Sequence, residues 1–233
     1  IRFACQSTVY RRKENAMRSR FDEQLIELNT EMIEMGNQII RAINEAIEAL
    51  IKRDVEKAKV IMENDTVVDH LQKKIEGICF NLLIQQQPVA KDLRTVTAAM
   101  KMVTDMERIG DHAADISEMT ILMGNNSRID KFEHVSKMAS ETMIMLNHSI
   151  EAYVEKDADK AGEVIEHDDI VDNLFLDAKK DIIDLIRNNP CEGEEATDIL
   201  MIAKYFERIG DHATNIAEWV IYLLRTSEVK NEI

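Results

Sequence analysis

The chain has 233 residues and a formal net charge of −15, with seven glycines, two prolines and only 5% aromatic residues. Ala, Ile, Leu, Met, Glu and Lys dominate, so the turn chemistry and the β-branched, aromatic enrichment of a strand-rich fold are both missing. No apolar run reaches the roughly 18 residues of a membrane span, and so acidic a surface repels phosphate backbones, which argues against nucleic acid as a direct partner.

Residues 1–16, IRFACQSTVYRRKENA, stand apart from everything that follows. The segment is read as a non-native or disordered tail rather than a signal peptide, because its apolar run is too short. It holds four basic residues and one acidic residue, which leaves −18 on the rest of the chain. The cysteines, Cys5, Cys79 and Cys191, show no CxxC spacing; that suits a reducing compartment, hence the cytoplasm, and no thiolate zinc site.

From Met17 the pattern is helical. Leu25, Leu28, Met32, Met35, Ile39, Ala42, Ala46 and Ala49 alternate steps of three and four, which predicts a long helix with one buried face. Asp54 is a plausible N-cap for the next helix, whose seam runs Ala58, Ile61, Asp65, Val68, Gln72, Ile75, Cys79 and Leu82. Pro88 cannot sit in a helix interior and marks a turn. A third seam follows through Leu93, Val96, Met100, Val103, Glu107, Gly110 and Ala114, and Gly124–Asn125–Asn126–Ser127 then ends the first half. The pattern restarts at Asp130, with breaks near Asp157 and Pro190.

The restart is a repeat. Ile47 to Asp69 reads IEALIKRDVEKAKVIMENDTVVD, and Ile150 to Asp172 reads IEAYVEKDADKAGEVIEHDDIVD, 103 residues on. The decapeptide ERIGDHAADI from Glu107 returns as ERIGDHATNI from Glu207, identical at eight positions of ten. One structural unit is therefore used twice. The expected fold is all-α: two tandem, sequence-related three-helix bundles, residues 17–124 and 125–233, making six antiparallel helices of roughly 30 residues, each about 45 Å long.

Carboxylates occupy seam positions where apolar residues belong. Asp65 and Asp69 are four apart, as are Glu107 and Asp111, so each pair shares a helical face. Asp168 and Asp172, then Glu207 and Asp211, repeat the arrangement. Counted from Pro88 and Pro190 the pairs fall at matching heights, roughly 30 Å from each turn, so four carboxylates converge in each bundle. Asp115 joins the first cluster; its counterpart is Asn215, which makes the second cluster poorer by one charge. Facing, partly buried carboxylates need protons, arginines or cations. Oxygen-only ligands suit hard ions such as magnesium, manganese, calcium or iron, while an ion-pair network through Arg108 and Arg208, or a solvated charged face, is the bland alternative.

His112 and His212 follow the aspartates and read as surface or interface histidines before metal-supporting ones. Glu-x-x-His, the spacing of di-iron bundles, is missing because Gly110 and Gly210 stand at the fourth place. Those glycines each cost about 1 kcal/mol in a helix, which close helix approach would explain. The methionines Met32, Met35, Met138, Met143 and Met145 read as core filler. Trp219 and Tyr222 read as packing residues. GxxxxGK, GxSxG and HExxH do not occur.

Duplicated three-helix bundles, each with ERIGDH inside an E/DxxxD pair, resemble the PhoU family over roughly residues 18 to 224. The resemblance implies multinuclear metal clusters on Asp65, Asp69, Glu107, Asp111 and Asp115, and on Asp168, Asp172, Glu207 and Asp211, with iron, zinc, manganese or magnesium as the divalent or trivalent ions. Asn215 departs from a full acidic set. The resemblance also implies a homodimer in the cytoplasm, at the inner face of the membrane through its partners. It further implies a non-enzymatic negative regulator that couples the ATPase subunit of a phosphate ABC transporter to a sensor histidine kinase. From the residues alone, a carboxylate-bridged metal-dependent enzyme and a metal-free structural bundle remain open.

Overall fold

The computed structural model describes residues 2–85, 90–124, 129 and 132–225. Seven α-helices follow one another: α1 (Arg2–Lys52), α2 (Val55–Asn64), α3 (Thr66–Gln85), α4 (Ala90–Met123), α5 (Glu133–Glu155), α6 (Ala158–Asn188) and α7 (Gly193–Leu224). No strand occurs among the described residues. Pro88, Asn125 to Ser127 and Asp130 lie outside them.

The turns after α1 and α5 use the same chemistry. Arg53 and Lys156, both at φ 57°, take the left-handed conformation, and the next residue is an aspartate that starts the following helix. Asp54 accepts from Lys57 N–H at 2.9 Å; Asp157 accepts from Asp159 and Lys160 N–H at 3.0 Å each. Each cap satisfies donors that the first helical turn leaves orphaned. At the other end of α6, Asn189 closes the helix on Leu185, and Pro190 begins a single 3-10 turn to Glu192.

One expected helix is interrupted. α2 and α3 meet at Asp65, which keeps right-handed helical dihedrals while its carbonyl takes Val68 N–H at 3.1 Å and Asp69 N–H at 3.4 Å. Three β-branched residues in succession, Thr66, Val67 and Val68, follow Asp65 and crowd the preceding turn. In the second half Asp169, Ile170 and Val171 follow Asp168, and α6 runs unbroken past it. The six expected rods are present, one of them jointed at a site residue.

α1, α2, α3 and α4 pack as one bundle and α5, α6 and α7 as another, and α4 lies against α7 while α1 touches α5. The buried side chains of both form one continuous core. The first seam is buried as expected, with Leu28, Met32, Met35, Ile39, Ala46 and Ala49 fully enclosed and Leu25 and Ala42 partly so. Met138 and Met145 are enclosed as well, and Met143 partly, as core filler. Leu93 is a correction: it is exposed, and Asp92 beside it is buried. α4 packs on helices of its own bundle and also on α7, so its buried face is wider than one seam and takes in Met102, Met106, Ile109, Ala113 and Ile116.

Gly36 shows how closely the halves approach. A Cβ there would stand 2.9 Å from Ile150 Cγ2 of α5, so only glycine lets α1 pass. Gly110 does the same against Val68, where a Cβ would stand 3.0 Å from Cγ1. At Gly210 the nearest atoms are 3.6 Å away. Close approach thus accounts for Gly110 and not for Gly210.

Candidate metal centre

The two helices that carry the decapeptides cross antiparallel at the decapeptides themselves. Arg94 at one end of α4 donates to the Tyr222 carbonyl of α7 at 3.4 Å and lies 4.6 Å over its ring. Further along, Asp105 meets His212 and Asn215, and His112 meets Tyr205. These pairs advance along α4 as they retreat along α7, and 100 residues separate equivalent positions of the repeat. His112 and His212 are such equivalents, and their ring centroids are 5.9 Å apart. A pseudo-twofold axis passes between them.

An open cavity of about 970 Å³ surrounds that axis. From the first half Asp65, Asp111 and Asp115 line it; from the second, Asp168 and Asp211 do. Arg108, Arg208, His112 and His212 complete its polar wall. The remaining expected carboxylates stand just behind. Glu107 feels Asp111, Asp69 and Asp65, while Asp172 and Glu207 both press on Asp168 and Asp211. The register argument therefore holds within each bundle. What it missed is that the two clusters open into one space.

Electrostatics in the cavity are unfavourable to full ionisation. Burial raises Asp65, with Asp111, Asp69 and Asp115 adding repulsion. Burial then Asp111 raise Glu107, and burial then Asp172 raise Asp168. Asp211 is exposed on the cavity wall, yet partial desolvation, then Glu207 and Asp168, push it up to about 6. Cationic partners are few. Arg108 reaches Asp111 at 3.0 Å and Glu107 at 3.6 Å, and Lys204 pairs with one oxygen of Glu207. The other oxygen, Glu207 Oε2, is buried and without a hydrogen-bond partner. An orphaned carboxylate oxygen among repelling neighbours is what a bound cation would satisfy.

The donor set fits a hard cation in kind: carboxylate oxygens, raised proton affinities and room for ions and water. In the side-chain positions described, no three His, Cys, Asp or Glu residues are gathered tightly enough to hold an ion. Loading therefore requires side-chain rotation inward from both walls of the cavity.

Two site residues escaped the sequence reading. Asp105 Oδ1 accepts from His212 Nδ1 at 2.9 Å and from Asn215 Nδ2 at 3.0 Å. Its repeat equivalent is Tyr205, which stacks on His112 at 5.5 Å and is raised by burial and then by Asp115. On one side of the axis the pair is Asp115 with Tyr205; on the other it is Asn215 with Asp105. The second half has not simply lost a charge. The carboxylate has moved across the interface onto α4, and the amide at 215 supplies the donor it needs. Reading the two departures from the repeat together would have revealed this exchange.

His112 is buried, and its Nδ1 meets Asp115 Oδ2 at 3.0 Å. Burial lowers its proton affinity against the pull of Asp115. Both histidines lie at the interface between the halves, as the sequence led one to expect.

Fold and site define a class: a tandem helical-bundle protein with two carboxylate clusters facing one cavity at the junction of its halves. The PhoU domain matches residues 32–120 and 135–220. The chain is 37% identical over 210 residues to the phosphate-specific transport system accessory protein PhoU homolog of Clostridium acetobutylicum, covering 90% of this chain and 96% of the relative. It is 30% identical to the homolog of Pseudomonas aeruginosa over 91% of this chain and 88% of that one. The crystal structure of PhoU from Pseudomonas aeruginosa superposes with a TM-score of 0.85 at 30% identity, over 88% of this chain and 99% of that one. The PhoU regulatory protein of Streptococcus pneumoniae gives 0.80 at 29% identity, over 89% of this chain and 98% of that one. The chain belongs to the PhoU family.

Proposed function

We propose that this protein is a non-enzymatic, metal-binding regulator of phosphate uptake and of the phosphate-starvation response. It restrains both when phosphate is plentiful, by linking the ATPase subunit of a phosphate ABC transporter to a sensor histidine kinase. The observation that carries this reading is the pair of under-neutralised carboxylate clusters facing one cavity, in a chain whose relatives are named accessory proteins of phosphate-specific transport. Asp65, Asp69, Glu107, Asp111 and Asp115 would hold ions on one wall, and Asp168, Asp172, Glu207 and Asp211 on the other. The ions would supply charge neutralisation that locks the two halves in one arrangement. Docking is to protein. The acidic exterior favours basic patches on the partners, so association slows as salt rises. No described helix is long and apolar enough to cross a membrane. In this reading the protein meets the transporter through its ATPase subunit at the inner face of the membrane, and acts there as a homodimer.

A deletion strain tests this directly. Cells without the protein should express phosphate-starvation genes and take up phosphate in phosphate-rich medium. The wild-type gene should restore repression, and one carrying Asp111→Asn with Asp211→Asn should not. Full repression in the deletion strain would overturn the regulatory reading. Full rescue by the double variant would overturn the role of the clusters.

A further inference from the structure

The histidine pair on the pseudo-twofold axis has a geometry the oxygen clusters do not need. His112 Nδ1 is held at 3.0 Å by Asp115, and His212 Nδ1 at 2.9 Å by Asp105. A carboxylate on Nδ1 fixes that nitrogen as the protonated one and leaves the lone pair on Nε2. It also makes Nε2 a better donor, the arrangement that supports histidines bound to metals. Both rings line the same cavity, and neither Nε2 has a protein partner among the described residues. His112 is 6% exposed as a residue, and what remains accessible is on the wall of that cavity.

Two imidazoles on one ion, each at a metal–nitrogen distance of about 2.1 Å, hold ring centroids roughly 5 to 6.5 Å apart as the angle at the metal opens from tetrahedral. The observed separation is 5.9 Å, with the planes inclined by 33°. We propose that His112 and His212 form a separate nitrogen-donor site which binds one borderline transition-metal ion, zinc or cobalt in class, between the two halves. Water completes the coordination. Imidazole selects such ions where carboxylate clusters select harder ones, so the site is distinct in chemistry although it shares the cavity. Asp105 positions His212 through Oδ1, and Asp115, which also belongs to the oxygen cluster, positions His112 through Oδ2. The exchange of Asp105 for Tyr205 and of Asn215 for Asp115 keeps one carboxylate on each histidine despite the loss of acidity at position 215.

Cobalt(II) is the probe, added to the purified full-length chain stripped of metal. A cobalt-bound imidazole shifts its own Nδ1 proton far outside the normal proton range, whereas a cobalt-bound carboxylate carries no such proton. Two exchangeable, strongly shifted resonances are expected. His112→Gln or His212→Gln should remove one of them and weaken binding at this site at least tenfold. Asp105→Asn should move the His212 signal alone and weaken binding by about tenfold, the usual cost of losing such a support. Asp105→Asn combined with Asn215→Asp should restore it, because the carboxylate then lies three residues after His212, as Asp115 does after His112. The more exposed His212 and Asp105 variants keep the test open should His112→Gln disturb the core. No exchangeable shifted resonance, or resonances indifferent to both histidine substitutions, would overturn the site. An Asp105→Asn chain indistinguishable from wild type would overturn the positioning role.

Discussion

Asp211 carries the clearest single-residue consequence. Its folded-state pKa is pushed up to about 6 from an ordinary 3.8, so the folded chain binds its proton more tightly than the unfolded chain does. The resulting penalty is absent below the unfolded value, grows as pH rises from about 4 to 6, and is complete above that. Asp65, Glu107 and Asp168 are raised too and act in the same direction. Metal-free protein should therefore melt higher at pH 5 than at pH 7.5, and added manganese or zinc should remove the difference. Asp211→Asn should raise the metal-free melting temperature at pH 7.5 and shrink the rise on adding metal. A melting temperature indifferent to pH and metal would refute repulsion at these carboxylates. The two motif glycines offer a second contrast. Gly210→Ala should gain up to about 1 kcal/mol of helix propensity, since a Cβ meets nothing nearer than 3.6 Å. Gly110→Ala should forfeit that gain against branched Val68 at 3.0 Å. Urea unfolding of the pair measures the difference. These carboxylates were legible because a charged residue at a seam position breaks an otherwise regular pattern. Asp105 was not, because its partners, His212 and Asn215, lie 107 and 110 residues further along the chain.

At the scale of the helix, the turn between α5 and α6 sets two neighbours at cross purposes. Lys156 sits at φ 57°, where a residue with a Cβ costs about 1 kcal/mol or more. Asp157 next to it caps α6 through two backbone amides. Lys156→Gly should stabilise by roughly 0.5 kcal/mol once the extra freedom of glycine in the unfolded chain is deducted. Asp157→Ala should cost about 1 kcal/mol. Melting temperatures should move in opposite directions, by about 1–2 °C up and 2–4 °C down. Equal signs would contradict this account of the turn. Both capping aspartates and the Pro190 break could be read from sequence, since capping and proline effects are local. The joint at Asp65 was missed because a seam pattern records which side of a helix is apolar, and that side does not change across a tightened turn.

Over the whole molecule, the halves share one core along α4 and α7 and again where Gly36 passes Ile150. Heat should unfold them together, with calorimetric and van't Hoff enthalpies equal. Gly36→Val should lower that single transition by about 3–9 °C, from an overpacking cost of about 1–3 kcal/mol. Two resolved transitions would show that the halves are independent. The repeat announced two similar bundles plainly, but not how they face each other. Met102, Met106, Ile109, Ala113 and Ile116 form a second apolar stripe on α4 beside the first, and a single helix pattern does not say which neighbour each stripe meets.

The axis between His112 and His212 makes each half the partner that the other would have as a separate molecule. Residues equivalent by repeat face residues equivalent by repeat, which is the rule of an isologous dimer. The chain is in effect a dimer whose two subunits are spliced end to end. A protein with one such half would have to pair with itself to enclose the same cavity, and would be bound to keep the two walls alike. Splicing lifts that obligation. Once each wall is encoded separately, a carboxylate can be traded from position 115 on one side for position 105 on the other, and the two walls can be tuned to different ions without either half losing its mate.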